Sequence, residues 1–183
     1  MYAQSIEQNV RLLLPRTGQT VSYAMGDDGW FQAGNPRVTR FVDNGDGTST
    51  DRATGLQWVI DPSQLGGAFG APGSPATMTW ADACVNCLGT RYGGMLEYAD
   101  HDDWRLSNVA ELASLWCVGS LGVHSPIIAP ADTVYTWTSS TYGNLTDWRI
   151  ALRLHYPCQT TQSAQTYLYY ARPVRGGRIN ANW

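Results

Sequence analysis

A series of short motifs, most of them anchored by a tryptophan, sets the tightest limit on what this chain can fold into. In order they are Arg40-Phe-Val-Asp-Asn-Gly-Asp-Gly-Thr48, Asp51-Arg-Ala-Thr-Gly-Leu-Gln-Trp58, Thr79-Trp-Ala-Asp-Ala83, Asp103-Trp-Arg-Leu-Ser-Asn-Val-Ala-Glu-Leu112, Trp137-Thr-Ser-Ser-Thr-Tyr142 and Tyr170-Ala-Arg-Pro-Val-Arg-Gly-Gly177. Each is a local device. Asn44-Gly45 and Asp46-Gly47 supply the positive-φ positions of a tight turn, which predicts a β-hairpin over Arg40–Val59. The acid spacing there imitates a calcium loop, but counted from Asp43 two positions that need oxygen ligands hold Gly45 and Gly47, so a plain turn is expected. Thr79 reads as a helix N-cap with Asp82 at the third helical position, and the helix is expected to run to about Leu88. Asn108 with Glu111 forms a capping box that opens a second helix, whose apolar face is Leu112, Leu115 and Trp116.

Past Pro130 the period changes from helical to two. Ile150, Leu152, Leu154 and Tyr156 alternate with Arg149, Ala151, Arg153 and His155, so the first set is expected inward and the second outward. Tyr167–Val174 reads as another strand, closed by Pro173 and Gly176-Gly177, and residues 61–78 read as a loop. Trp104 and Trp137 are expected core anchors. Residues 1–36 differ from the rest: Ile6, Val10 and Leu13 have helical spacing that stops at Pro15, followed by turn-rich pieces. They are expected to form an N-terminal arm for docking or oligomerisation, ahead of a recognition domain over residues 37–183.

With 183 residues, 43% hydrophobic and 15% charged, the chain can bury a sizeable core. No apolar run approaches the roughly 18 residues of a membrane span, and the N-terminus lacks the pattern of a signal peptide. No membrane insertion is therefore expected, and the expected setting is a particle surface assembled where the chain is made. All twelve basic residues are arginine. Residues 1–147 carry seven of them and all fifteen acids, a net −8, whereas residues 148–183 carry five and no acid, a net +5. Arginine forks onto carboxylates, sulfates and phosphates. Arg172 and Arg175 are expected to pair with carboxylates of the first half, and Arg149 and Arg153 to reach a surface. The overall acidity and the lack of a nucleic-acid motif argue against nucleic-acid binding.

Cys84-Val-Asn-Cys87 resembles half of a zinc knuckle, but Cys117 and Cys158 stand alone. Disulfides or buried free thiols among Cys84, Cys87, Cys117 and Cys158 are expected ahead of a zinc or redox site, with no pairing chosen. Hydrolase elbows, zinc helices, phosphate loops and dinucleotide fingerprints are absent. His101-Asp102-Asp103 is expected to be a structural corner. No cofactor, metal or catalytic residue is expected.

The order of these motifs resembles the Lcl-type C-terminal domain family over roughly residues 37–177. Asn44-Gly-Asp-Gly47, Thr54-Gly-Leu-Gln-Trp58, Asp103-Trp-Arg-Leu with Asn108 and Glu111-Leu112, Trp137 with Ser139-Ser140, and Arg172-Pro-Val-Arg-Gly-Gly177 carry the resemblance. Ser107 stands where the family usually has proline. The resemblance implies an α+β domain of C-type-lectin-like character, with two helices packed on twisted antiparallel strands, as found on bacterial surface adhesins and phage particles. The calcium-lectin signatures Glu-Pro-Asn and Trp-Asn-Asp are missing, which disfavours calcium-dependent sugar binding. The expectation is a non-enzymatic phage receptor-binding or virion decoration protein that binds a host-surface glycan or protein. A shell or fibre protein without external ligand and a bacterial adhesin are the alternatives. An enzyme akin to the formylglycine-generating branch of lectin-like folds is a further, lesser one. Weak single contacts gain from multivalency, so a homo-oligomer is expected, a trimer first, with residues 1–36 contacting a neighbouring subunit or other subunits of a virion or surface structure. The binding residues are expected at Tyr142, Asn144, Asp147, Trp148, Arg149, Arg153, His155, Tyr156, Tyr167 and Tyr169.

Overall fold

The computed structural model of the protein describes residues 16–34, 40–117, 122–123, 126–128, 134–143, 147–155 and 158–176. The Ile6–Val10–Leu13 stripe, Asn144 and Tyr156 lie outside the described residues.

Within the arm, residues 16–34 tie themselves together. Asp27 caps the short helix α1 (Asp28–Phe31), its side chain accepting from the Trp30 amide. The same carboxylate accepts from the Tyr23 amide at 2.7 Å, and Arg16 Nε donates to the Gly34 carbonyl at 3.1 Å. Gly29 packs so closely on the Val21 carbonyl that no side chain fits there.

Residues 40–59 form a three-stranded meander rather than a single hairpin: β1 (Phe41–Asp43), β2 (Thr48–Asp51) and β3 (Leu56–Val59), all antiparallel neighbours. A second reversal at Arg52–Gly55 supplies the extra strand, and it depends on Asp51. One Asp51 oxygen accepts from the Ala53 amide at 3.0 Å and the other from Thr54 Oγ1 at 2.7 Å. In the first turn, Asp43 accepts from the Gly45 amide and Asp46 from the Thr48 amide, both at 2.9 Å. These acids therefore hold backbone, as a plain turn requires.

The supposed loop over 61–78 contains two 3-10 turns (Pro62–Leu65 and Gly67–Phe69) and a ribbon of β4 (Gly70–Ala71) and β5 (Ser74–Pro75). Helix α2 (Trp80–Asn86) starts where expected, with Thr79 accepting from the Asp82 amide, but ends at Asn86 because Cys87 caps it. After β6 (Arg105–Leu106), helix α3 (Val109–Ser114) carries both halves of the capping box. Leu112 and Leu115 are buried, but Trp116 belongs to β7 (Trp116–Cys117), which pairs with β8 (Gly122–Val123).

The last strands are β9 (Thr136–Thr141), β10 (Trp148–Arg153), β11 (Gln159–Ala164) and β12 (Pro173–Gly176). The expected strand over 167–174 is displaced. Tyr169 and Tyr170 make single bridges to Met78 and Thr136, and the ladder begins at Pro173, a first-residue position that needs no amide donor. Strand β12 lies between β3 and β6, giving a five-stranded sheet in the order β1-β2-β3-β12-β6; a separate three-stranded sheet runs β11-β10-β9. The paired strands of both are antiparallel, and the fold is α+β.

Among the described residues, apolar burial gathers in two clusters. One gathers Trp58, Leu112, Leu115, Leu152, Leu154 and Val174; the other gathers Phe69, Met78, Cys87, Leu106, Trp137 and Ala151. Trp58, Trp104 and Trp137 are fully buried. The indole N–H of Trp104 donates to the Tyr98 carbonyl at 3.1 Å and that of Trp137 to the Met78 carbonyl at 2.9 Å, so neither is left unmatched.

Arginine finishes the five-stranded sheet. Arg40 forks onto Asp51 at 2.7 and 2.9 Å, fully buried, and reaches the Ser114 carbonyl at 2.8 Å. Arg105 forks onto Glu111 at 2.6 and 2.8 Å, and Arg175 pairs with Asp103 at 2.5 Å. The Asp103-Trp104-Arg105 stretch is thus a structural corner. Arg172 departs from expectation. It is buried and donates to the carbonyls of Val59, Ile60 and Ile128 instead of to a carboxylate.

Candidate functional site

Strand β10 is the middle strand of the three-stranded sheet, and its two faces meet different cores. Leu152 and Leu154 enter the cluster with Trp58, while Ala151 is fully buried in the cluster with Trp137. The simple inward–outward alternation therefore fails at Ala151, on the side expected to face solvent. An irregularity in the β9–β10 pairing between Arg149 and Ala151 shifts the register there. Ile150, expected inside, is only half-buried.

Arg149 is held rather than displayed. Its guanidinium lies 4.2 Å from the centroid of the Trp80 ring, donates to the Trp148 carbonyl at 3.0 Å and reaches Gln165 Oε1 at 3.3 Å. Trp80 in turn donates its indole N–H to the Thr138 carbonyl at 2.9 Å, which fixes the ring under the cation. Arg153 and His155 are half-buried. Tyr169 is mainly structural: its ring packs 4.6 Å from Trp137 and 5.3 Å from Tyr135, and its hydroxyl meets Ser163 Oγ at 3.0 Å.

The residues that do reach solvent collect at one end of this sheet. Backbone bonds join Tyr142 N to Trp148 O at 3.3 Å, Gln165 N to Asp147 O at 3.1 Å and Tyr167 N to Ala164 O at 3.0 Å. Trp148 pairs with Ala164 across the ladder. This clasp brings Tyr142, Asp147, Trp148 and Tyr167 together, with the three rings 39, 42 and 55% exposed in that order. Beside it an open groove of about 410 Å³ is bounded by Val109, Tyr142, Ile150, Thr160 and Gln162. Aromatic faces beside hydroxyl and amide groups suit a recognition surface, because they offer contact area at small entropy cost.

Sequence reasoning found the exposed aromatics but missed Trp80, Val109 and the Thr160–Gln162 edge. The period-two polar run Gln159–Ala164 was a usable signal for that edge. Nothing local marks Trp80 as the seat of a cation 69 positions away.

All four cysteines are free thiols, so the disulfide candidates Cys84, Cys87, Cys117 and Cys158 are unpaired. Cys84 and Cys87 pack into one core and Cys158 against the other. Burial pushes the Cys84 thiol up to about 11 and raises Cys87 and Cys158 as well. A protonated thiol is a poor nucleophile and a poor metal ligand. Among the described residues no cluster of His, Cys, Asp and Glu is arranged to hold a metal, and no helix is long and apolar enough to cross a membrane.

The sequence profile of the Lcl C-terminal domain matches residues 47–175. That stretch contains both helices α2 and α3 and every strand from β3 to β11. A search among curated proteins found no match. The profile covers more than half of the chain, which belongs to the Lcl C-terminal domain family.

Proposed function

We propose that this member of the Lcl C-terminal domain family is a non-enzymatic attachment domain of C-type-lectin-like character. It binds a host-surface glycan or protein through the end of its three-stranded sheet. The observation that carries this reading is the clasp of Tyr142, Trp148 and Tyr167, exposed at the end of the β10–β11 ladder. Their indole and phenol rings can stack on a sugar face or a flat protein patch, while the Thr160–Gln162 edge supplies donors and acceptors. The proposed setting is the surface of a virion, as a receptor-binding or decoration protein; a bacterial cell surface is the alternative. The test is attachment of labelled protein to intact host cells. Trp148→Ala with Tyr167→Ala should lower attachment about tenfold or more, since hot spots of this kind are worth about 2 kcal/mol. Equal attachment by the folded double variant would refute this surface.

The arm favours a structural role alongside recognition. Tyr23, Met25, Trp30 and Phe31 all project to solvent from the self-tied segment over residues 16–34. Such an apolar display suits docking onto a neighbouring subunit or a particle. We propose a homo-oligomer, a trimer first, held by this arm. Light scattering of the full chain against a chain carrying Trp30→Asp and Phe31→Asp tests it, and a monomer in both cases would rule the oligomer out.

A further inference from the structure

A second cleft lies apart from the aromatic clasp, between the 3-10 turns and the start of β12. It measures about 320 Å³ and includes Asp61, Pro62, Ile128, Thr136, Tyr170 and Arg172 in its lining. Two of these residues carry a buried polar atom without a hydrogen-bond partner: Thr136 Oγ1 and Arg172 Nε. Thr136 is 1% and Arg172 2% exposed. Buried polar atoms are almost always matched, and an orphan costs about 1–3 kcal/mol. Of the seven such atoms among the described residues, these two belong to residues that line one cleft, where a bound group can supply the partner.

The chemistry of the lining narrows what that partner is. Asp61 brings a carboxylate that already holds the Ser63 amide at 3.0 Å and the Ser63 hydroxyl at 2.7 Å. Arg172 brings a guanidinium whose other nitrogens are engaged by backbone carbonyls. One negative and one positive group leave the cleft with no net charge, so neither an anion nor a cation is favoured by field. A hydroxyl group, which donates and accepts at once, satisfies a threonine hydroxyl, a guanidinium N–H and a carboxylate together. Pro62, Ile128 and Tyr170 add apolar surface of the kind that covers the C–H face of a sugar ring. The volume lies at the low end of small-ligand sites, about 300–1,000 Å³, which suits one ring rather than a chain.

We propose that this cleft binds one uncharged polyhydroxylated unit, a neutral hexose or its N-acetyl derivative, with Thr136, Asp61 and Arg172 as its polar contacts. This site is independent of the strand-end surface, and Trp148 and Tyr167 variants should leave it intact. Isothermal titration with glucose, galactose, mannose and N-acetylglucosamine, and with glucuronate as the charged comparison, tests it. Saturable binding of at least one neutral sugar is expected, weakened about tenfold or more by Thr136→Val, which removes the hydroxyl and keeps the shape. If Thr136→Val fails to fold, Asp61→Asn serves in its place. It leaves Arg172 without its nearby carboxylate, so preference should move from the neutral sugar toward glucuronate. The proposal is overturned if no sugar binds saturably, if glucuronate is preferred by the unaltered protein, or if binding survives Thr136→Val unchanged.

Discussion

The two main sheets use arginine in opposite ways. In the five-stranded sheet a guanidinium meets a carboxylate with forked or short geometry. Arg40 and Asp51 lock β1, the second turn and the end of α3 together, and Arg175 with Asp103 ties β12 to the corner before β6. In the three-stranded sheet Arg149 lies over an indole and bonds an amide. The first arrangement fixes position, because leaving either partner alone in the interior is costly. The second keeps aromatic surface close to solvent. The ion-paired sheet and the stacked one thus differ in the partner that Arg40 and Arg175 on one side, and Arg149 on the other, are given.

Breaking the first arrangement should have the largest effect. Asp51→Ala strands the buried Arg40 cation and unmakes the second turn, so a loss of about 3–5 kcal/mol is expected in a urea melt. A loss below about 1 kcal/mol would mean that water reaches Arg40. Trp137→Ala should cost about the same, about 3–5 kcal/mol, by opening a cavity where β9, α2 and β10 meet. Arg149→Ala should cost less, about 1–2 kcal/mol, from the stacked cation and its covering of Trp80. If its cost matches that of Asp51→Ala, the contrast between the sheets fails.

Acid should act on the first sheet. Burial alone would raise the Glu111 carboxyl, but hydrogen bonds from Arg105 and the Asn108 amide, with the charge of Arg105, hold it below its ordinary range. Asp103 is likewise lowered, Arg175 overcoming its burial. Groups lowered on folding stabilise fully above their unfolded pKa, about 4, and lose that contribution as pH falls through the lowered value. The melting temperature should therefore fall as pH drops below about 4, and Glu111→Gln should flatten part of that fall. An unchanged acid profile in this variant would remove Glu111 from the explanation. The smallest stability effect belongs to Trp148→Ala, expected within about 0.5 kcal/mol because the ring is partly solvated. A large loss would make Trp148 part of the core.

Much of this contrast could be read in advance, and the limits have physical causes. Thr79, Asn108 and Glu111 announced their helices because capping is local chemistry. The turn at Asn44–Gly47 was legible for the same reason. Trp104 and Trp137 were legible as anchors through bulk alone. The second reversal at Arg52–Gly55 was not, since it depends on Asp51 also holding Arg40. Ala151 was misread because alternation assumes one wet face, whereas β10 is covered on both sides at that point. The carbonyl partners of Arg172 come from residues up to 113 positions away, a pairing that no spacing rule contains. At the candidate surface Tyr142, Asp147, Trp148 and Tyr167 were grouped from composition, and the seat that Trp80 gives Arg149 was not.

Gln159, Thr160 and Gln162 stand exposed on β11, and all six of its residues pair with β10 through backbone. Backbone pairing is indifferent to most side chains, so these positions are open to drift. A lineage could change what this edge touches, one substitution at a time, while Ala151 on one face and Leu152 and Leu154 on the other keep β10 in place. Novelty at such an edge does not have to wait for a compensating change in the interior.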